Sequence, residues 1–145
     1  MSTMTALTTQ VYSVFIRATP EQVWEAITKP DFTEQYFFGA RIDIRGGRRV
    51  TNIGEMEWDE EVLEEDPPSK LVHRFVAAYD PDMGAEEPSR VTWEIESQDG
   101  GITKLTVVHD QLEDAPKTAE SVAGGWMYVL SGLKTLIETG KPLAG

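Results

Sequence analysis

A chain of 145 residues without cysteine is long enough for one domain with a single core, and it can form no disulfide, thiolate nucleophile or zinc–sulfur site. Its 25 acidic against 13 basic side chains give a formal net charge of −12, which speaks against nucleic acid and against an anionic membrane surface. No apolar run reaches the roughly 18 residues of a membrane span, and MSTMTALTTQ lacks the basic head and apolar middle of a signal peptide, so a cytoplasmic protein is expected.

Residues 1–9 read as a flexible N-terminus. The first strand is expected over Gln10–Arg17, where alternation places Tyr12, Val14 and Ile16 on one face. In ATPEQVWEAIT, Thr19 suits an N-cap, Pro20 the first helical position and Gln22 the partner of a capping box. Val23, Trp24 and Ile27 supply the apolar positions of that helix. Pro30 breaks the run, and Asp31 is expected to cap a second short helix over DFTEQYF, so that the two helices form an elbow.

From residue 40 the chain changes to strands. ARIDIR and RRVTNIG flank Gly46-Gly47 as a hairpin, and MEWDEEVLEED follows, closed by Pro67-Pro68. KLVHRFVAAY and SRVTWEIES flank the polar loop DPDMGAEEP, and Gln98-Asp99-Gly100-Gly101 turns the chain into ITKLTVVHD. Consecutive strands joined by turn residues predict an antiparallel meander. Asp114 is expected to cap a final helix that runs to about Thr139, with Gly140 as its C-cap and Pro142 as a stop. No repeat or linker interrupts this order, which predicts one domain over residues 1–145.

ATPEQVWEAIT after the first strand, RGGRR in the hairpin, EEDPPSKLV before a strand and GGWMYVLSGLKTLIE in the last helix carry a family likeness. In this order they resemble the START-like (SRPBCC) superfamily, and within it the polyketide cyclase-like branch named for the activator of heat-shock-protein-90 ATPase. The likeness extends from about residue 10 to residue 140. It implies an α+β helix-grip fold: a curved antiparallel sheet of six or seven strands wrapped around a long C-terminal helix, with two short helices after the first strand. The fold houses cyclases, lipid and hormone carriers and co-chaperones, so function must be argued from the site.

If the sheet wraps the last helix, alternation assigns the inward positions. They are Leu105, Val107 and His109 on one strand, Val91, Trp93 and Ile95 on another, and Leu71, His73 and Phe75 in preference to Val72, Arg74 and Val76 on a third. The last helix offers a stripe of Val122, Trp126, Val129, Leu130 and Leu133, and the elbow adds Tyr36, Phe37 and Phe38. A strongly curved sheet and one helix leave a gap, which predicts an apolar ligand cavity. Its expected lining is Tyr36, Phe37, Phe38, Phe75, Trp93, Leu105, Val107, His109, Trp126, Val129, Leu130 and Leu133, a pattern that also suits a plain core. Gly124 and Gly125, beside Trp126, are expected either to admit close approach of backbone or ligand or only to kink the helix or mark its start.

His73 and His109 are the only histidines and the only catalytic candidates. Either could serve as acid or base near neutral pH, assisted by Tyr12 or Tyr79, although a lone imidazole on a strand also suits a structural role. No HExxH spacing points to a metal, no GxSxG elbow surrounds Ser121 or Ser131, and Gly46-Gly47 leads into a strand where a phosphate cradle needs a helix. No metal or cofactor is therefore expected. Eight acids crowd Glu55–Asp66, next to Arg41, Arg45, Arg48 and Arg49. They suit cross-strand pairing and protection of a sheet edge, or, with Trp58, a protein-docking strip. The leading expectation is a binder of a small apolar or amphipathic molecule. The alternatives are a cyclase- or hydrolase-type enzyme acting in the same cavity and a chaperone-associated interaction domain. A homodimer is left open, because nothing in the sequence selects a face for it.

Overall fold

A computed structural model describes residues 7–144; residues 1–6, which hold most of the expected flexible N-terminus, and residue 145 lie outside the description. The elements are β1 (Gln10–Ile16), α1 (Pro20–Thr28), α2 (Pro30–Thr33), β2 (Arg41–Arg45), β3 (Arg48–Ile53), β4 (Met56–Asp66), β5 (Lys70–Phe75), α3 (Pro81–Gly84), β6 (Ser89–Ser97), β7 (Thr103–Asp110) and α4 (Pro116–Thr139). The strands form one seven-stranded antiparallel sheet in the order β1-β7-β6-β5-β4-β3-β2. It is the helix-grip arrangement, a curved sheet around a long C-terminal helix. A register shift between Val62 and Glu64 interrupts the β4–β5 ladder, and a bulge of this kind bends a strand and increases its twist. Among the described residues no helix is long and apolar enough to cross a membrane.

Local chemistry explains most element ends. Thr19 Oγ1 accepts from Gln22 N at 3.2 Å while Gln22 Oε1 accepts from Thr19 N at 2.8 Å, which completes the capping box of α1. Gly140 ends α4 in the left-handed region at φ 75°. Two caps differ from expectation. Asp31 does not cap α2, which begins after Lys29 without a side-chain cap; its carboxylate instead accepts from Arg41 Nη2 at 3.0 Å. Nor does Asp114 cap α4, whose N-cap position is Ala115. Glu86, from the loop after α3, reaches over and accepts from Lys117 N (2.9 Å) and Thr118 N (2.8 Å). A carboxylate there satisfies orphan helix donors and complements the positive end of the helix. The loop expected at DPDMGAEEP also holds the single turn of α3, capped by Asp80.

The inward faces follow the alternation. Ile16, Leu71, Phe75, Val91, Trp93, Ile95, Leu105 and Val107 from the sheet are buried against Val23 and Ile27 of α1 and the α4 stripe of Val122, Trp126, Val129, Leu130 and Leu133. α4 packs on β1 and α1. The inner face of the opposite end of the sheet, the arm of β2, β3 and the first half of β4, turns toward a hollow.

Candidate functional site

The arm's register determines which side chains share its inner face. In the β3–β4 ladder Arg49 stands opposite Glu60 and Thr51 opposite Trp58, while Ile42 of β2 stands opposite Thr51. Positions two apart on a strand face the same way, so Arg49, Thr51 and Ile53 form one row and Glu60 and Trp58 its neighbour. These residues line a cavity of about 300 Å³ between the arm, the segment after α2 and α4. The segment after α2 contributes Phe37, Phe38 and Ala40; α4 contributes Ser121, Val122, Gly125, Trp126 and Val129. Phe75, Val76 and Tyr79 complete the wall. The volume lies at the small end of ligand pockets, and an apolar lining with a few convergent polar groups is their usual character.

Trp126 forms the floor and is held on several sides. Its Nε1–H donates to His109 Nδ1 at 3.0 Å. Its ring meets Trp93 edge-on at 5.3 Å and Phe37 edge-on at 6.0 Å between centroids. A side chain so fixed presents a preformed apolar surface, which lowers the ordering cost of binding.

The polar part of the wall lies on β3 and β4. Arg49 Nη1 donates to Glu60 Oε1 at 2.7 Å, with side chains only 5% and 1% exposed. Glu60 Oε2 also accepts from Val76 N at 2.8 Å, and the Arg49 guanidinium lies 5.7 Å from the centre of the Phe37 ring. The charges cancel within the wall, as buried ions must. Beside them, Thr51 Oγ1 and Trp58 Nε1 are buried and have no hydrogen-bond partner in the protein. Most buried polar groups are paired, so two unpaired ones on facing residues of one cavity call for an explanation. Tyr79, half exposed and 6.2 Å from the Trp58 ring, stands at the mouth. Burial raises the pKa of its phenol, a shift moderated by Ser121.

Of the residues expected to line a cavity, Phe37, Phe38, Phe75, Trp126 and Val129 border this one. Trp93, Leu105, Val107, His109, Leu130 and Leu133 lie in packed core beyond it. Tyr36 is also core: its hydroxyl donates to Ala26 O at 2.7 Å, and burial pushes the phenol's pKa up.

The two histidines are fully buried and border the cavity nowhere. His73 Nε2 accepts from Trp93 Nε1 at 3.0 Å, which leaves Nδ1–H to donate to Arg74 O at 2.7 Å. His109 Nδ1 accepts from Trp126, and its Nε2–H faces Ser89 Oγ at 2.7 Å. Both rings are therefore neutral with both nitrogens engaged. Desolvation is the first cause of a lowered pKa in each, down to about 4 for His109 and well below the usual histidine range for His73. A ligand in the cavity has no direct path to either imidazole. Tyr12, the other proposed assistant, donates to Ala123 O at 3.1 Å on the far side of α4.

Sequence reasoning missed Arg49, Thr51, Trp58 and Glu60 as cavity residues. It read the arginines and acids as cross-strand pairing, which holds for Arg48 with Asp59 (3.2 Å) and also for Arg49 with Glu60 (2.7 Å), but it did not foresee that the second pair is buried in a cavity wall. The available signal was the alternation of RRVTNI against MEWDEE across the turn at Gly54. It sends Arg49 and Glu60 to the face opposite Arg48, Asp59 and Glu61.

The family described as Activator of Hsp90 ATPase homolog 1-like protein matches the chain over residues 17–138. No curated protein matches it significantly in sequence. Among solved structures it is similar to the protein MLL2253 from Mesorhizobium loti (24% identity, TM-score 0.72, covering 90% of this chain and 96% of that one). It is similar also to the Aha1 dimer from Colwellia psychrerythraea, solved in solution (18%, TM-score 0.72, 93% and 99%). A third is DynU16, from the dynemicin biosynthetic locus (23%, TM-score 0.71, 93% of this chain and 49% of that one). At these identities the likeness is one of fold.

Proposed function

Since the chain belongs to the family of Activator of Hsp90 ATPase homolog 1-like proteins, whose fold suits ligand binding, we propose that it binds a small, mostly apolar molecule between α4 and the β2–β4 arm. The observation that carries this reading is the cavity of about 300 Å³ with an aromatic and aliphatic wall. Its floor is held by Trp126, its buried charged pair lies on the β3–β4 side, and its mouth is flanked by Trp58 and Tyr79. The occurrence of the fold in DynU16, a protein in the dynemicin biosynthetic locus, agrees with such a role. A catalytic role for His73 or His109 gains no support from this geometry, because neither imidazole reaches the cavity.

Native mass spectrometry of freshly purified protein tests the reading. Gly125 borders the cavity, and an added Cβ there would meet no heavy atom within 4 Å, so Gly125→Phe can fill the space without disturbing the core. The wild type is expected to carry a non-covalent adduct, or to take up bicyclic aromatic probes, and Gly125→Phe to do neither. Uptake that is equal in both proteins would place binding elsewhere.

A further inference from the structure

The unpaired polar groups identify the chemistry of the molecule the cavity would take. Trp58 Nε1–H can only donate, and Thr51 Oγ–H can donate as well. The two residues are direct cross-strand partners, whose Cβ atoms stand about 4.5–5.5 Å apart. Both polar atoms are buried, and both residues line the cavity. A single carbonyl oxygen has two lone pairs and can accept from both donors at once. An ammonium group has no lone pair and cannot accept from Trp58. A carboxylate would bring a second buried negative charge beside Glu60, which already neutralises Arg49, and an uncompensated buried charge is costly. The remaining wall is apolar apart from Ser121 and Tyr79, which hydrogen-bond to each other. As to size, an apolar cavity of about 150 Å³ takes one benzene, so about 300 Å³ takes two fused rings.

We infer that Trp58 and Thr51 form an acceptor subsite, and that the ligand is a neutral molecule of about two rings with a carbonyl oxygen directed at β3 and β4. This rests on the binding reading above and adds the ligand's class. The Arg49–Glu60 pair sets the wall's net charge to zero and so selects against anions.

Three probes separate the claims: 1-tetralone, its hydrocarbon counterpart tetralin, and 1-naphthoate, each titrated into the full chain and followed by two-dimensional NMR. Tetralin is the more hydrophobic of the first two, so a merely apolar hollow would bind it more tightly. The expected result is the reverse, with 1-tetralone tightest of the three. The Trp58 indole N–H resonance should move with the ketone and stay in place with the hydrocarbon. Thr51→Val and Trp58→Phe should each weaken 1-tetralone about five- to tenfold, the worth of one hydrogen bond, and narrow its advantage over tetralin. If tetralin binds as tightly as the ketone, the acceptor subsite is wrong while the binding cavity stands. Tighter binding of 1-naphthoate overturns the neutral class. If no probe binds, the binding reading falls together with this inference. The wild-type comparison decides these points even if a variant folds poorly.

Discussion

Thr51 and Glu60 share one wall of the cavity, yet they contribute to the free protein with opposite signs. The Thr51 hydroxyl is buried without a protein partner, and such a group costs about 1–3 kcal/mol in lost hydration, less where solvent reaches it. Valine has nearly the same shape and no hydroxyl. Thr51→Val should therefore raise the unfolding free energy of the ligand-free protein by about 1 kcal/mol, read as a higher urea midpoint at constant slope. A loss of that size would mean that the hydroxyl has a structural partner. Glu60 is the converse case, since it pairs with Arg49 and accepts from Val76 N. Glu60→Ala should cost about 3–5 kcal/mol, because it leaves a buried guanidinium uncompensated. Removing both charges with Arg49→Met/Glu60→Leu should cost less than Glu60→Ala alone. A double variant that loses as much as the two single changes added together would show that the two side chains do not act as a pair.

At the scale of elements, α4 shows what periodicity can and cannot predict. Its apolar stripe was legible because side chains at helical spacing need only the helix itself to align them. The inward face of β5 was legible for the same reason. What the glycines do was not, because a neighbouring element decides it. Around Gly124 and Gly125 an added Cβ would meet nothing within 4 Å, whereas at Gly132 it would stand 3.1 Å from Tyr36 Cβ. Tyr36 is buried and held by Ala26 O, so it cannot retreat. Gly124→Ala should thus gain up to about 1 kcal/mol from helix propensity, and Gly132→Ala should destabilise despite the same propensity gain; parallel urea curves compare them. The cap of α4 was illegible for a similar reason, since Glu86 lies about thirty positions before the N–H groups it serves. Arg49 and Glu60 were legible as a cross-strand pair but not as cavity wall, because α4 and the segment after α2 decide what lies over their face.

The contact between β7 and α4 also sets a pH dependence. His109 accepts from Trp126 in its neutral form, and burial lowers its pKa to about 4, against about 6.5 in an unfolded chain. Below pH 6.5 the unfolded chain binds a proton that the folded imidazole does not. Stability is therefore fully present above about 6.5 and falls toward about 4, at about 1.4 kcal/mol per pH unit for this one group. His73, shifted in the same direction, adds to the fall. Urea unfolding of the wild type and His109→Gln between pH 7.5 and 4.5 isolates the effect, since the carboxylates are common to both proteins. The variant should be weaker at neutral pH and show the shallower decline; parallel declines would refute the assignment.

For the whole molecule, the sheet divides according to what covers it. β5, β6, β7 and β1 lie against α1 and α4 through a continuous apolar core. Only β2 of the arm is backed, by the elbow, while the inner face of β3 and β4 meets the cavity. The polar ties of β2 to the elbow are these. Thr33 Oγ1 accepts from Ile42 N and donates to Ala40 O, both at 2.9 Å, while Arg41 pairs with Asp31 and Glu34 in the open, where ion pairs contribute little. Segments with little buried apolar contact open locally, at less cost than global unfolding. Amides of β2 and β3 are therefore expected to exchange with solvent well before those of β6 and β7 in the free protein. A ligand held between the arm and α4 is lost whenever the arm opens, so it raises the cost of that opening by RT ln(1 + L/Kd), where L is its free concentration. At a free concentration of about one hundred times Kd, arm exchange should slow by about a hundredfold, measured by hydrogen–deuterium exchange with 1-tetralone. In a molecule where arm and core open as one unit, β2, β3, β6 and β7 would instead exchange together and be protected equally. That outcome would make the cavity a fixed part of a single cooperative structure, entered without movement of the arm.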